Sequence, residues 1–381
     1  MDFVWPVRGS RPLLELSKAQ FSSWERNGYL VIPDAVPAAL TSAAASTIRE
    51  YIGASESDPA TWYANTLDIY TDQHADGSKP LHGPAGMVVG LNHHASLWQL
   101  RQHPRLHRIF ADLYGTRRLL VSHDRAHFKP PENASHPAWS DPGPVHKGLH
   151  FDVNTAQRPV PYAVQGVIYL EDTSAAQGPL HVVPGFHRRF GEWARGRAPD
   201  ADPWRADDLG TEAVALAGGA GSLVVWHTLL PHGPGRVLSH ARGPRISAYV
   251  TMVPVDAAPY LPPDAHPETP LLLLDAATLK YEQTNAQLHL NAPQHAGLLP
   301  NASAPLRRLS AAQRAERWRH RLPLLDEDPR ESEMPRRPPG EDDGAPFGGL
   351  TRLGRRLTGL EPWPKDEDLE DEREREGCNA E

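Results

Sequence analysis

The alternation of hydrophobic and polar residues between about Leu119 and Pro254 predicts a series of short β-strands. Gly221 to His227 is a nearly continuous apolar run bounded by turn residues. In the next run, Arg245, Ser247 and Tyr249 alternate with apolar residues and therefore share one face of a strand. Gly- and Pro-rich turns separate the runs, a pattern typical of a double-sheet jelly roll.

Helical patterns flank this β-rich region. Before it, Ser17 can cap a helix from about Lys18 to Asn27, and an alanine-rich helix is expected from Pro37 to Ile52. After it, residues 271–279 and 310–321 have helical periodicity. The expected fold is therefore mainly β with flanking helices, built on a double-stranded β-helix (jelly-roll/cupin-like) core.

Composition divides the chain into a large domain and a tail. The chain has 381 residues, of which 39% are hydrophobic, enough to bury a sizeable core. Residues 326–381 are rich in Glu, Asp, Arg, Pro and Gly, and such a segment buries too little apolar surface to offset its ordering entropy. We therefore expect one domain over residues 1–325, with its jelly-roll core at about 119–255, and a charged, disordered C-terminal tail over 326–381.

Charge and cysteine content exclude several classes of function. A net charge of −8 argues against a protein that coats nucleic acid, which needs a basic surface. The single cysteine, Cys378, excludes an internal disulfide and a cysteine zinc cluster. The sequence has neither a secretion signal at its start nor an apolar run of membrane-spanning length. These features predict a cytoplasmic protein that acts on a small molecule, and they predict no particular oligomeric state.

The candidate chemistry begins with a His-x-Asp triplet. His150 and Asp152 lie two residues apart, so on a strand both reach the same side while Phe151 packs on the other. His232, in a Pro-His-Gly turn, follows the strand that ends at His227 and can supply a third ligand. Two imidazoles and one carboxylate form a facial set that suits Fe(II) and leaves positions open for a chelating cosubstrate and dioxygen.

A second group of residues suits an organic diacid. The Arg245 guanidinium, with the Ser247 hydroxyl on the same face, matches the distal carboxylate of 2-oxoglutarate. Two further residues are weaker candidates for the cosubstrate site. Arg125 would share a strand face with His127. Gln165 would be at the start of another strand, from which its side-chain amide could reach the cosubstrate. Each of these has a purely structural hydrogen bond as its alternative role.

Other histidines compete for the metal. The spacing of His123 and His127 matches that of a zinc protease helix, but the neighbouring apolar and Pro residues favour a strand. His187 and His227 are alternative third ligands. His187 is more simply explained as holding the turn in which it lies, and the Pro-His-Gly context favours His232 over His227.

These residues, from about Phe21 to Val255, resemble the phytanoyl-CoA dioxygenase-like branch of the Fe(II)/2-oxoglutarate oxygenases. The resemblance also includes an opening helix and strand, a helix leading into the barrel, and a strand pair after the His-x-Asp triplet, in residues 20–33, 103–115, 166–172 and 178–187. By position it makes His150, Asp152 and His232 the iron ligands. It makes Arg245 the 2-oxoglutarate anchor, with Arg242 as the fallback because Arg245 lies slightly farther from His232 than expected.

The resemblance implies a dioxygenase that uses Fe(II), 2-oxoglutarate and O2 and releases succinate and CO2. The presence of Asp152 favours hydroxylation over halogenation, because related halogenases have a small residue there. Two alternatives remain. One is a non-catalytic jelly-roll binding or scaffold protein, and the other is a metal-dependent enzyme of the same fold that does not use 2-oxoglutarate.

Overall fold

The computed structural model of the chain describes residues 12–63, 69–70, 86–88, 94–121, 126–139, 148–153, 155–156, 160, 162–198, 200–254, 351–357 and 363–364. The predicted helices at 271–279 and 310–321 lie outside the described residues, as do Arg125 and Cys378. No helix in the described part of the chain is both long and apolar enough to cross a membrane.

Short strands alternate with helices along the chain, and most of the helices precede the β-rich region. The helices are α1 (Lys18–Asn27), α2 (Ala38–Ile52), α3 (Ala95–Arg101), α4 (Pro104–Tyr114), α5 (Phe190–Arg195) and α6 (Arg352–Leu357). The strands are β1 (Tyr29–Ile32), β2 (Ile69–Tyr70), β3 (Met87–Val88), β4 (Leu119–Val121), β5 (Ala126–Lys129), β6 (Val164–Tyr169), β7 (Leu180–Val182), β8 (Val214–Ala215), β9 (Leu223–His227), β10 (His232–Pro234), β11 (Arg245–Tyr249) and β12 (Met252–Pro254).

The strands form two antiparallel sheets. Within the described residues, the larger has nine strands in the order β1-β9-β6-β11-β5-β3-β2, with β4 and β12 joined beside this path, and the smaller has the order β10-β7-β8. Most neighbours in the order are distant in the sequence; β11, for example, pairs with both β5 and β6. This arrangement confirms the expected jelly-roll core with flanking helices.

Period-2 alternation divides the larger sheet into two apolar faces. One face of β6, β9 and β11, which includes Ile168, Val225 and Ile246, packs against the helices. The other face packs against the smaller sheet, and Val224 and Val182 share the apolar cluster between the sheets. Side chains on this inner face therefore point into the barrel.

The N-terminal helix has the cap that the sequence predicted. The Ser17 hydroxyl accepts a hydrogen bond from the Gln20 backbone N–H, and the Gln20 side chain accepts one from the Ser17 N–H. Such a capping box satisfies backbone N–H groups that have no partner within the helix. The helix ends at Gly28, whose φ of 74° is a left-handed conformation that glycine adopts without strain. The turn therefore leads directly into β1.

Part of the predicted tail packs against the outside of the barrel. Residues 351–357 and 363–364, from the segment 326–381 expected to be disordered, are described; the rest of that segment lies outside the described residues. Trp363 stacks on His107 of α4 with ring centroids 5.3 Å apart, and its indole N–H donates to the Leu119 carbonyl. Apolar and aromatic residues within the charged segment thus provide a docking point.

Candidate active site

Backbone pairing places the His-x-Asp segment beside the end of β10. The backbone N–H groups of His150 and His232 each donate to the other residue's carbonyl, at 2.9 and 3.0 Å. His150 lies in isolated bridges and not in the regular strand that the sequence suggested. Its side chain and that of Asp152 still lie on one side, while Phe151 packs on the other against Phe186.

Three side chains converge in this place. Candidate ligand atoms of His150, Asp152 and His232 all lie within 4.8 Å of one another. The His150 Nε2 atom is 3.5 Å from Asp152 Oδ1, and the His232 Nε2 atom is 3.1 Å from Asp152 Oδ2. The side chains of His232 and Asp152 are 4% and 10% exposed, whereas that of His150 is 23% exposed. The group therefore opens to solvent on the His150 side.

Backbone carbonyls orient both imidazoles. The Nδ1 atom of His150 lies 3.0 Å from the Gly148 carbonyl, and that of His232 lies 3.0 Å from the Leu230 carbonyl. A carbonyl only accepts, so each Nδ1 carries the hydrogen and each Nε2 lone pair points toward Asp152. This is the tautomer that a metal-binding histidine needs.

The two histidines differ in their affinity for a proton. Burial lowers the pKa of His232, and the Asp152 charge offsets this only in part. Burial also opposes protonation of His150, but the hydrogen bond and charge of Asp152 outweigh it and raise the pKa of His150, with Arg205 acting in the lowering direction. The site therefore favours a positive charge beside Asp152 and keeps the His232 lone pair available.

Gln165 contacts the carboxylate of this group. Its side-chain N–H donates to Asp152 Oδ2 at 2.5 Å. Its Oε1 atom is buried and has no hydrogen-bond partner among the described residues. The sequence suggested a contact between Gln165 and the cosubstrate, whereas its amide N–H is directed to the carboxylate.

Arg245 lies deeper between the sheets. It is 4% exposed, and its Nη1 group donates to the Gly178 carbonyl at 2.5 Å. Its Nε–H has no hydrogen-bond partner, and no carboxylate forms an ion pair with it, among the residues that the structure describes. Ser247 is buried on the same face of β11. Because a buried cation requires compensation, this region favours an anion.

A second cation lies opposite the arginine. Lys129 of β5 is the direct cross-strand partner of Arg245, is 4% exposed, and donates to the Gly235 carbonyl at 3.3 Å. His127, two residues earlier on this face, has its Nδ1 3.3 Å from Arg245 Nη2. The sequence alone does not identify the pairing of Lys129 with Arg245, because that register depends on strands distant in the sequence.

The competing residues lie elsewhere. His227 is on the helix-facing side of β9, where it stacks on His187 with ring centroids 5.1 Å apart, and the His187 Nε2 lies 3.1 Å from the Glu25 carbonyl. Neither belongs to the group formed around Asp152. Arg242 is exposed before β11. His127 lies on a strand, as its context predicted, while His123 and Arg125 are outside the described residues.

Comparisons with known proteins place this site in context. A protein of Dictyostelium discoideum named "Putative phytanoyl-CoA dioxygenase" is 26% identical over 190 residues, which are 40% of this chain and 52% of that protein. The chain thus matches about half the length of this relative.

Solved structures also match. EctD from S. alaskensis with 2-oxoglutarate and 5-hydroxyectoine has 17% identity and a TM-score of 0.42, covering 68% of this chain and 84% of that one. The epimerase SnoN in complex with Fe3+, alpha ketoglutarate and nogalamycin RO has 16% identity and a TM-score of 0.42, covering 63% and 84%.

The family comparison matches most of the described fold. The model for "Phytanoyl-CoA dioxygenase (PhyH)" matches residues 24–246, which extend from α1 to β11 and include the His-x-Asp segment, His232 and Arg245. The match spans more than half of the 381 residues. The chain belongs to the phytanoyl-CoA dioxygenase (PhyH) family.

Proposed function

We propose that this protein is an Fe(II)- and 2-oxoglutarate-dependent dioxygenase that hydroxylates an unactivated C–H bond of a small-molecule metabolite. The observation that carries the proposal is the convergence of His150, Asp152 and His232 at a point that opens to solvent, with a buried arginine deeper in the barrel. Family membership supports the same reaction class.

The donor set fits iron. Two neutral imidazole nitrogens and a carboxylate oxygen are the ligands of non-haem Fe(II) oxygenases. Both imidazoles are already oriented through Nδ1, and against the opposing effect of burial the Asp152 carboxylate raises the pKa of His150 by stabilising a proton on that imidazole. A divalent ion would take the place of that proton. Gln165 would hold Asp152 in position through its amide N–H.

The arginine and lysine pair fits 2-oxoglutarate. Arg245 and Lys129 would bind its distal carboxylate, and the Arg245 Nε–H is available for this contact. Its other end would then lie toward the metal ligands. When bound, Fe(II) with 2-oxoglutarate and O2 supplies oxidising chemistry that releases succinate and CO2 and converts a substrate C–H group to C–OH. The protein's own contribution is to hold these groups in place and to exclude water from the inner part of the barrel.

The test is an anaerobic titration of the metal-free protein with Fe(II) and 2-oxoglutarate, followed through the weak visible charge-transfer band of the chelate. We expect the band in the wild type, its loss in His150→Ala, and weaker 2-oxoglutarate binding in Arg245→Ala. Arg242→Ala is the matched control, because it removes an exposed arginine three residues before Arg245.

The outcomes separate the alternatives. A band that is unaffected by Arg242→Ala but needs His150 and Arg245 supports the oxygenase. Metal binding that needs His150, without a 2-oxoglutarate band, would instead indicate an enzyme of the same fold with different chemistry. If the wild type binds no Fe(II), the proposal is wrong and the barrel is a binding scaffold.

A further inference from the structure

Arg205 pairs with His150 through the backbone. The Phe151 N–H donates to the Trp204 carbonyl at 2.9 Å, and the Ala206 N–H donates to the Leu149 carbonyl at 3.0 Å. These two bonds flank an antiparallel bridge between His150 and Arg205. His150 and Arg205 are therefore a non-hydrogen-bonded antiparallel pair. In this type of pair the residues lie closer than in the hydrogen-bonded type, with Cα atoms about 4.5 Å apart.

This pairing determines where the Arg205 side chain starts. Directly opposite residues in an antiparallel pair place their side chains on the same face. His150 pairs with His232 on one side and with Arg205 on the other. The three side chains thus follow one another along one face, in the order His232, His150, Arg205, so the arginine is the direct neighbour of the partly exposed imidazole.

The position of Arg205 is at the entrance of the site. His232 is buried, while His150 and Arg205 are both partly exposed, so the row leads from a buried residue to two that solvent can reach. Arg205 stands at the outer end of this row, next to His150. It lies apart from the Arg245 and Lys129 pair, which is buried on β11 and β5.

We propose that Arg205 binds an anionic group of the primary substrate, a carboxylate or a phosphate, and so orients the substrate at the metal. This inference rests on the proposed function and adds a substrate class to it. A guanidinium forms two parallel hydrogen bonds with either group. The anionic end of the substrate would lie at the rim, and the carbon to be oxidised would lie on the inner side of the His150 imidazole.

The experiment compares matched ligands on the anaerobic Fe(II) and 2-oxoglutarate complex. Hexanoate, hexyl phosphate and neutral hexanamide are titrated calorimetrically, and the shift of the chelate band is recorded in parallel. The variants are Arg205→Gln, Arg205→Lys and the control Arg195→Gln. The control removes the same charge from an exposed position on α5.

We expect the wild type to prefer at least one anion over hexanamide by about tenfold or more, the ratio expected for one charge-assisted hydrogen bond. Arg205→Gln should lose this preference, Arg205→Lys should keep part of it, and Arg195→Gln should keep all of it. Whether hexanoate or hexyl phosphate binds more tightly identifies the anionic group.

Two results would overturn the inference while the proposed function stands. One is an intact chelate band with no preference of the wild type for either anion. The other is an equal loss of preference in Arg205→Gln and Arg195→Gln, which would mean that only the general charge of this surface matters. Absence of the chelate band from the wild type would instead refute the proposed function and this inference with it.

Discussion

Replacement of Gln165 by Met gives a quantitative test of the metal site. Methionine has nearly the same length and volume but donates no hydrogen bond, so Gln165→Met removes the 2.5 Å contact with Asp152 Oδ2 and leaves the packing almost unchanged. Removal of an outer hydrogen bond from a metal ligand costs about 10- to 100-fold in metal affinity. That range corresponds to about 1.4 to 2.8 kcal/mol, comparable to the strength of a hydrogen bond to a charged group.

The same substitution should have little effect on the stability of the metal-free protein. Loss of the donor to Asp152 costs about 1 to 3 kcal/mol. The substitution also removes the buried Gln165 Oε1 atom, which lacks a partner among the described residues and carries a penalty of similar size. The two contributions offset each other, so we expect the free energy of unfolding to change by less than about 1 kcal/mol.

Two measurements on each variant separate these effects. Anaerobic calorimetry with Fe(II) alone gives the metal affinity, and urea unfolding of the metal-free protein gives the stability. Gln99→Met, on the exposed side of α3, controls for the introduction of a methionine. An unchanged Fe(II) affinity in Gln165→Met would refute the positioning role of the amide. A large loss of stability in the metal-free protein would show that the contact serves mainly the fold.

Two further predictions concern the contact between His107 of α4 and Trp363 of the C-terminal segment. Burial lowers the pKa of His107 to about 4, below its value of about 6.5 in the unfolded chain, so the unfolded state binds more protons between these values. The free energy of unfolding should therefore fall as the pH drops from about 6.5 to 4, by about 1.4 kcal/mol per unit, and urea titrations should show a weaker pH dependence in His107→Gln. Trp363→Ala, which removes the ring stack and the indole hydrogen bond, should cost about 2 kcal/mol at pH 7 by the same assay, and an unchanged midpoint would refute the docking.

Local patterns predicted the parts of the fold that depend on near neighbours. The cap of α1 and the polar face of β11 could both be predicted from the sequence, because a helix cap and a strand face each involve residues only a few positions apart. The grouping of His150 and Asp152 could be predicted for the same reason. The third ligand candidate, His232, could not be predicted from spacing alone, because its distance from Asp152 depends on how the two segments pair. The Pro-His-Gly context and the family resemblance indicated this histidine.

Contacts set by register between distant segments were not predictable in this way. No spacing rule indicates that Lys129 lies opposite Arg245, or that the amide of Gln165 meets Asp152. The composition of the C-terminal segment also gave no indication that Trp363 donates a hydrogen bond to the barrel. One aromatic residue can attach a segment to the barrel through its ring and one hydrogen bond, while the average composition of that segment stays the same.

The contrast between the two arginines explains why the proposed substrate contact is harder to predict than the proposed cosubstrate contact. Arg245 lies on a regular strand, where alternation alone groups it with Ser247 and Tyr249 on one face. Arg205 lies in an irregular segment, and only its two flanking backbone hydrogen bonds show that it shares a face with His150. A regular sheet can hold one ligand in a fixed position, whereas an irregular segment can change its ligand contacts without disturbing the sheet. Specificity in this chain should therefore be sought in the segments that pair with the His-x-Asp backbone, of which the one containing Arg205 is the first to test.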